Sequence, residues 1–423
     1  MDRISIIGLG YIGLPTATLL ASRKKRVIGV DVSLHVVETV NKGNVHIVEP
    51  ELDMLVQAAV GAGYLHATTT PEPADAFLIA VPTPFRTAAE GAGNPFPLPD
   101  LSYIEAAARS VAPVLVPGNL VILESTSPVG TTEKLAAWLA QARPDLSFPQ
   151  QAGEQSDIRI AHCPERVLPG RTVHELVAND RVIGGMTPRC SQAAVALYKL
   201  FVQGECILTD ARTAELCKLA ENSFRDVNIA FANELSMICD AQGINVQELI
   251  ALANRHPRVN ILQPGCGVGG HCIAVDPWFI VSSAPEQARL ISTARRVNDA
   301  KPRWIIDKVE QGIAELQAQG LGRDVRIACF GLSYKPDIDD LRESPALHIA
   351  EHLARCHGDR LGVIEPNLEN LPANLVQMGA KKIEAAAALA WADILLVLVN
   401  HAQFRYISLK PTPAQRLIDA RGI

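Results

Sequence analysis

Cys272 closes the run Gly265-Cys266-Gly267-Val268-Gly269-Gly270-His271-Cys272. A glycine-rich turn of this kind lets backbone approach a ligand closely, so the thiol at its end is positioned to be offered to a substrate. Such a thiol is a nucleophile candidate for carbonyl chemistry; the plain alternative is a small buried hydrophobe, the usual fate of an unbridged cysteine. Upstream, Lys218, Asn222 and Arg225 stand at i, i+4 and i+7 and share one stripe of a helix. An ammonium and an amide one turn apart suit a developing alkoxide, whereas a solvated, salt-bridged helix face is the other reading of the same spacing.

The amino end carries a second chemical signal. Ile4 to Ile7 reads as an apolar strand, followed by Gly8-Leu9-Gly10-Tyr11-Ile12-Gly13 and a helical pattern through Leu20. In such a fingerprint the first glycine makes the tight turn, the second admits a pyrophosphate and the third lets helix pack on strand. The helix amino terminus then offers free N–H groups to the phosphates. A second strand, Val27 to Val30, ends at Asp31, placed to accept hydrogen bonds from ribose hydroxyls and to repel a 2′-phosphate. The expected cofactor is therefore NAD rather than NADP. Beside a nicotinamide, a nucleophilic thiol marks an enzyme that carries a carbonyl on to an acid, because hydride leaves readily from a thiohemiacetal.

These side chains need a scaffold, and the rest of the chain describes one. Up to residue 205 strands and helices alternate, with strands expected at Ile4–Ile7, Val27–Val30, Ala76–Val81, Leu120–Leu123 and Arg159–Ala161. Val81-Pro82-Thr83-Pro84 ends a strand in a turn and puts Thr83 where cofactor-binding loops of doubly wound sheets lie. Gly91 to Pro99 reads as a surface loop, and Thr213 to Gln242 as a long helix stopped by Gly243. The last hundred residues echo the opening: a strand at Val325–Phe330 leads into Gly331-Leu332-Ser333-Tyr334-Lys335, and Leu361–Ile364 ends in Glu365-Pro366. Ser333 stands where Gly10 stood and Lys335 projects near the phosphate position, which suits a nucleotide-bearing substrate; a sheet used only for packing is the alternative. The fold class expected is α/β, with two Rossmann-like doubly wound domains, 1–205 and 306–423, joined by a central helical domain, 206–305, built on the long helix.

Composition narrows the classes. At 423 residues, 48% hydrophobic and 20% charged, the chain is a multi-domain globular protein. A net charge of −6 argues against nucleic-acid binding, and no apolar run reaches membrane-spanning length. Met1-Asp2-Arg3 leads straight into the first strand, so no signal peptide is expected. Nine scattered cysteines, without CxxC spacing, predict a reducing, cytoplasmic setting and no metal site.

Taken together, these motifs resemble the UDP-glucose/GDP-mannose dehydrogenase family, the four-electron nucleotide-sugar 6-dehydrogenases. The resemblance runs through GLGYIGLP at 8–15, STSPVG at 125–130, CPERVLPG at 163–170, ELCKLAENSFRDVNIAFANEL at 215–235, GVGGHCIAVDP at 267–277 and GLSYKPDIDDLRESP at 331–345. The longer wording, HIVEP at 46–50 and NRHPRVNILQPG at 254–265 included, is similar to bacterial UDP-N-acetyl-D-mannosamine dehydrogenases. The resemblance implies two NAD+ per sugar, a Cys272 thiohemiacetal and thioester, and a UDP-sugar held by the last domain. It implies Lys218 and Asn222 at the reacting oxygen, Glu165 for thioester hydrolysis, and Thr126 and Asp276 as accessory residues near the water and the lysine. Gly8, Gly10, Tyr11, Ile12, Gly13, Asp31, Thr83, Thr126, Thr132 and Arg342 are then cofactor contacts. Substrate contacts are Arg166, Val167, Lys218, Asn222, Arg225, His256, Arg258, Gly269, Tyr334, Lys335 and Arg421, arginine suiting a diphosphate through its planar fork. Family members that recognise glucose often carry a second acid soon after the one matching Glu165; Pro169 stands in that region here, leaving hydrolysis to Glu165. Arg258 matches an arginine that reaches the active site of the neighbouring subunit, which implies a homo-oligomer, most simply a dimer through the central domain. The resemblance also points to surface polysaccharide biosynthesis. One departure is Cys266, where close relatives commonly have proline.

Three other readings stay open on these residues. UDP-glucose, UDP-N-acetylglucosamine or GDP-mannose is the substrate; or the enzyme is a two-electron hydroxyacid dehydrogenase of similar build, which needs the lysine but no cysteine; or the protein binds NAD without turnover. NADH stoichiometry separates them.

Overall fold

The computed structural model describes residues 1–86, 96–168, 170–270, 272–321, 324–407 and 411–421. Residues 91–95 of the expected surface loop and Pro169 lie outside the described residues. Two compact units emerge, 1–221 and 222–423, the division falling inside one continuous helix, Ala211–Gln242.

The first unit is built on strands that read as unbroken apolar runs because both of their faces are covered. β1 (Arg3–Ile7), β2 (Arg26–Val30), β3 (Leu65–Thr68), β4 (Ala76–Ile79), β5 (Leu120–Leu123) and β6 (Arg159–His162) are parallel, in the spatial order β3-β2-β1-β4-β5-β6. β7 (Arg181–Gly185) turns antiparallel to β6, and β8 (Cys206–Asp210) then runs parallel to β7 at the edge. One core, with Leu14, Leu20 and Val56, and another, with Ile104, Leu135 and Leu139, cover the sheet. The strand order reverses between β1 and β4, and doubly wound sheets bind their ligands at the carboxyl ends of the strands beside such a reversal. β4 stops at Ile79, two residues short of the expected end, since Pro82 has no N–H for a ladder.

The second unit holds a smaller, wholly parallel sheet. β9 (Ile327–Phe330), β10 (Leu361–Ile364), β11 (Lys381–Lys382), β12 (Ile394–Val397) and β13 (Arg416–Asp419) lie in the order β11-β10-β9-β12-β13, again doubly wound. Ahead of it come the helices Val246–Ala253, Asp276–Ser283 and Arg289–Ala318. A buried polar seam joins the last of these to the far part of Ala211–Gln242. Arg295, with no exposed surface, pairs with the equally buried Asp226, and Asn298 donates to the same carboxylate at 2.8 Å. Asn233 donates to Asn298 at 2.9 Å and accepts the Gly265 N–H at 2.8 Å. The opening of the glycine run is thus fastened to the helical core.

Candidate active site

The fingerprint glycines divide their labour as their positions demand. Gly8 adopts φ +93°, and a Cβ there would lie 2.6 Å from the Ala80 carbonyl oxygen. A Cβ on Gly13 would lie 1.8 Å from the Gly8 oxygen, so the helix Gly13–Ser22 starts flush against the turn. Around Gly10, by contrast, a Cβ would meet nothing within 4 Å. That is the open face a pyrophosphate needs. Tyr11 is exposed and Ile12 half-buried beside it. Asp31 receives the Leu9 N–H at 3.0 Å and the Ser33 N–H at 2.9 Å, which fixes its carboxylate at the end of β2 with acceptor capacity to spare. The Thr83 hydroxyl oxygen is buried without a hydrogen-bond partner among the described residues. A buried orphan hydroxyl on the loop after β4 fits a bound dinucleotide.

Lys218 and Glu165 come together in the same unit. The Lys218 Nζ lies 3.5 Å from Glu165 Oε2, and both residues are buried. Glu165 follows β6, and its other oxygen accepts the Val167 N–H. Arg166 is forked onto Glu221, with contacts at 2.6 and 3.1 Å, one turn along the helix from Lys218. Thr126 stands half-buried after β5. Thr132 lies on the helix that follows. It is fully buried, and its hydroxyl and N–H both donate to Glu215 Oε1, at 2.6 and 2.7 Å. Both donors are engaged inside the protein, where they brace the turn.

Glu215 itself was not foreseen. Its Oε2 accepts the Gly130 N–H at 2.6 Å, so one carboxylate closes the amino terminus of the helix Thr131–Ala142. Burial raises its carboxyl above the usual range, against these three hydrogen bonds. No periodicity or spacing marks such a residue; only the tertiary fold does.

In the second unit, Cys272 is exposed and Cys266 is buried, its thiol pushed up by burial. The Cys272 carbonyl accepts the Val275 and Asp276 N–H groups at 3.0 and 2.8 Å, placing the residue just ahead of the helix Asp276–Ser283. Asn222 donates to Asp276 at 2.5 Å; both are buried. Tyr334 packs on the glycine run, since a Cβ on Gly270 would come 3.1 Å from its ring and one on Gly269 2.9 Å from its Cβ. The Arg421 guanidinium lies over Gly265 and reaches Asn400 at 3.3 Å. Lys335 is half-buried on the loop after β9, and Arg342 is bracketed by Asp340 at 2.6 Å. Arg225, His256 and Arg258 are exposed, the last two on one turn after Val246–Ala253. Among the described residues no group of three or more His, Cys, Asp or Glu is placed to hold a metal ion, and no helix is long and apolar enough to cross a membrane.

The UDP-glucose/GDP-mannose dehydrogenase family matches the chain in three parts: its NAD binding domain over residues 2–202, its central domain over 212–300 and its UDP binding domain over 328–423. A UDP-N-acetyl-D-mannosamine dehydrogenase of Yersinia pestis is 62% identical over 424 residues, covering 100% of this chain and 99% of its own. An NDP-N-acetyl-D-galactosaminuronic acid dehydrogenase of Ralstonia nicotianae is 63% identical over 420 residues, with 99% and 96% covered. Among solved structures, the UDP-D-ManNAc dehydrogenase of Pyrococcus horikoshii superposes with a TM-score of 0.84 at 38% identity, over 99% of this chain and 95% of that one.

Proposed function

The chain belongs to the UDP-glucose/GDP-mannose dehydrogenase family, and from that premise we propose that it oxidises C6 of UDP-N-acetyl-D-mannosamine to the carboxylate. Residues 1–205 take the cofactor, 306–423 the UDP-sugar, and 206–305 form the helical middle. NAD+, held by the fingerprint turn, Asp31 and Thr83, supplies the hydride acceptor for both oxidations. Arg342 contacts it from the last domain, and Arg421 and Arg166 serve the substrate's diphosphate.

The chain's own residues handle the sugar. Lys218 and Asn222 stabilise the oxygen on C6 as the alcohol gives up its proton. The Cys272 thiolate adds to the resulting aldehyde, forming a C–S bond and a thiohemiacetal whose remaining hydrogen leaves as hydride. The product of that second oxidation is a thioester on Cys272. Glu165 takes a proton from water, which attacks the thioester carbonyl and expels the thiolate. Thr126 and Asp276 orient the groups around it. Arg258 completes the substrate site of a second copy, so the active species is a homo-oligomer, most simply a dimer. The product would feed surface polysaccharide assembly.

One observation carries the four-electron reading: the exposed thiol is the one that ends the glycine turn, and the thiol that opens it is buried. The likeness to a galactosaminuronic acid dehydrogenase favours a second reading of the sugar, another 2-acetamido hexose on a nucleoside diphosphate. A panel of nucleotide sugars, with NADH counted per sugar and the product weighed by mass spectrometry, decides both. Two NADH and a gain of one oxygen for two hydrogens support the four-electron scheme. One NADH per sugar overturns it.

A further inference from the structure

The carboxyl-terminal sheet repeats the fingerprint geometry of the first and then closes it. Gly331 takes φ +89° after β9, as Gly8 takes +93° after β1. The Leu332 N–H donates to Glu365 at 2.7 Å, as Leu9 donates to Asp31 at 3.0 Å. Asp31, however, is half-buried, while Glu365 is 1% exposed. Its Oε2 also accepts the Ser333 N–H at 3.3 Å and faces His401 Nε2 at 3.1 Å. Its Oε1 accepts from the Asn367 N–H and side chain, at 3.1 and 3.3 Å. A carboxylate filled this way has no place for a ribose.

His401 is fully buried. A backbone N–H only donates, and that of Asp337 lies 2.9 Å from His401 Nδ1. Nδ1 is therefore the acceptor and Nε2 carries the proton given to Glu365. The Asn367 amide also points at Nδ1, at 2.9 Å. Asp337 sits at φ +63°, a conformation unfavourable for a residue with a Cβ, and is tied again where its Oδ1 accepts the Ala402 N–H at 2.8 Å. Between these ties run Tyr334, which packs on Gly269 and Gly270, and Lys335, whose carbonyl accepts the Ser333 hydroxyl at 2.7 Å.

We propose that His401 is a positioning residue: bridging Glu365 and the Asp337 N–H, it holds the 332–337 segment in one conformation, presents Lys335 and seats Tyr334 against the glycine turn that ends at Cys272. This rests on the reading of Tyr334 and Lys335 as nucleotide-sugar contacts. The echo of the first fold has thus been converted from a ribose acceptor into a brace for a loop.

Two isosteric variants of the full-length enzyme test it. In His401→Gln the terminal amide replaces Nε2 beside Glu365 but leaves the Asp337 N–H without an acceptor. In His401→Asn the amide oxygen replaces Nδ1. The Gln variant should raise the KM for the nucleotide sugar about tenfold with the KM for NAD within about twofold, and speed amide exchange across 332–337. The Asn variant should restore both readouts toward wild type even at a lower Tm. If Gln at 401 does not fold, Asp337→Gly, which cuts the Ala402 tie at an exposed position, should give the same split. Unchanged exchange and KM in the Gln variant, or equal rises in both KM values, overturn the proposal. UDP binding to Lys335→Ala separates the premise: undiminished binding there sinks the reading of the loop, while lost binding there with an unaffected Gln variant sinks the role of His401.

Discussion

Lys218 Nζ stands 3.5 Å from Glu165 Oε2, with side-chain exposures of 8% and 11%. At such depth each charge is offset in part by the other, so removing one partner costs more than it would at the surface. The pair also joins the group proposed for oxyanion stabilisation to the one proposed for water activation, so the two half-reactions share one electrostatic unit.

Glu165→Gln is therefore expected to keep the oxidations and stall the hydrolysis. Turnover should fall by about 10²–10³ while a covalent acyl adduct accumulates on Cys272. Intact-protein mass after mixing with NAD+ and nucleotide sugar reads the adduct. A variant that slows without accumulating adduct would remove Glu165 from hydrolysis.

Cys272→Ser should abolish steady four-electron turnover, since a serine hydroxyl is hardly ionised near neutral pH, yet still release some NADH in a first burst. Cys266→Ser should retain turnover within about threefold, because that thiol is buried and opens the turn instead of ending it. Stopped-flow NADH absorbance on both variants makes the comparison.

The two glycines of the cofactor turn should fail differently. Gly13→Ala drives a Cβ against the Gly8 oxygen and should cost about 3 kcal/mol of stability. Gly10→Ala meets nothing in the protein, so its Tm should hold while its KM for NAD climbs at least about tenfold. Asp31→Ser should lower the preference for NAD over NADP. Thermal melts with parallel kinetics on both cofactors test all three; an unchanged KM in Gly10→Ala would move the pyrophosphate elsewhere.

His162, fully buried on β6, is pulled down to about 3 by burial. Its unfolded value is about 6.5, so between those limits the unfolded chain binds a proton that the folded one refuses. Stability should fall as pH drops through 6.5 toward 3, at up to about 1.4 kcal/mol per pH unit from this residue. His162→Leu should flatten that acid limb. Denaturant midpoints between pH 7 and 4 measure it, and an equally steep limb in the variant would assign the loss to other groups.

Much of this architecture was readable before any coordinates. Leu120–Leu123 and Leu361–Ile364 emerge with the expected bounds, since buried parallel strands are short apolar runs between turn signals. The long helix starts at Ala211, two residues ahead of the reading at Thr213. The antiparallel turn at β7 escaped, because strand direction leaves no trace in a pattern of apolar residues. So did Arg289–Ala318, which runs through Pro302; proline reads as a stop, but packing against the sheet and the Asp226 seam carries the helix past one lost bond. At the site, the exposed thiol that ends the glycine run, the lysine of the long helix and the fingerprint turn were legible from type and spacing. Glu215 and the contact between His401 and Glu365 were not, because each is defined by partners far away in the chain.

The cap that Glu215 places on the helix Thr131–Ala142 bears on how this enzyme can be recombined with its relatives. Lys218 follows one turn later on the same helix, so the bonds to Gly130 and Thr132 set the register of the lysine against the first sheet. A chimaera spliced at 205/206 would inherit its capping glutamate from one parent and the capped turn from the other. One spliced after Glu221, where the compact units divide, keeps cap, lysine and the Arg166 fork from a single parent. Exchange of substrate specificity between members is best attempted at that second seam.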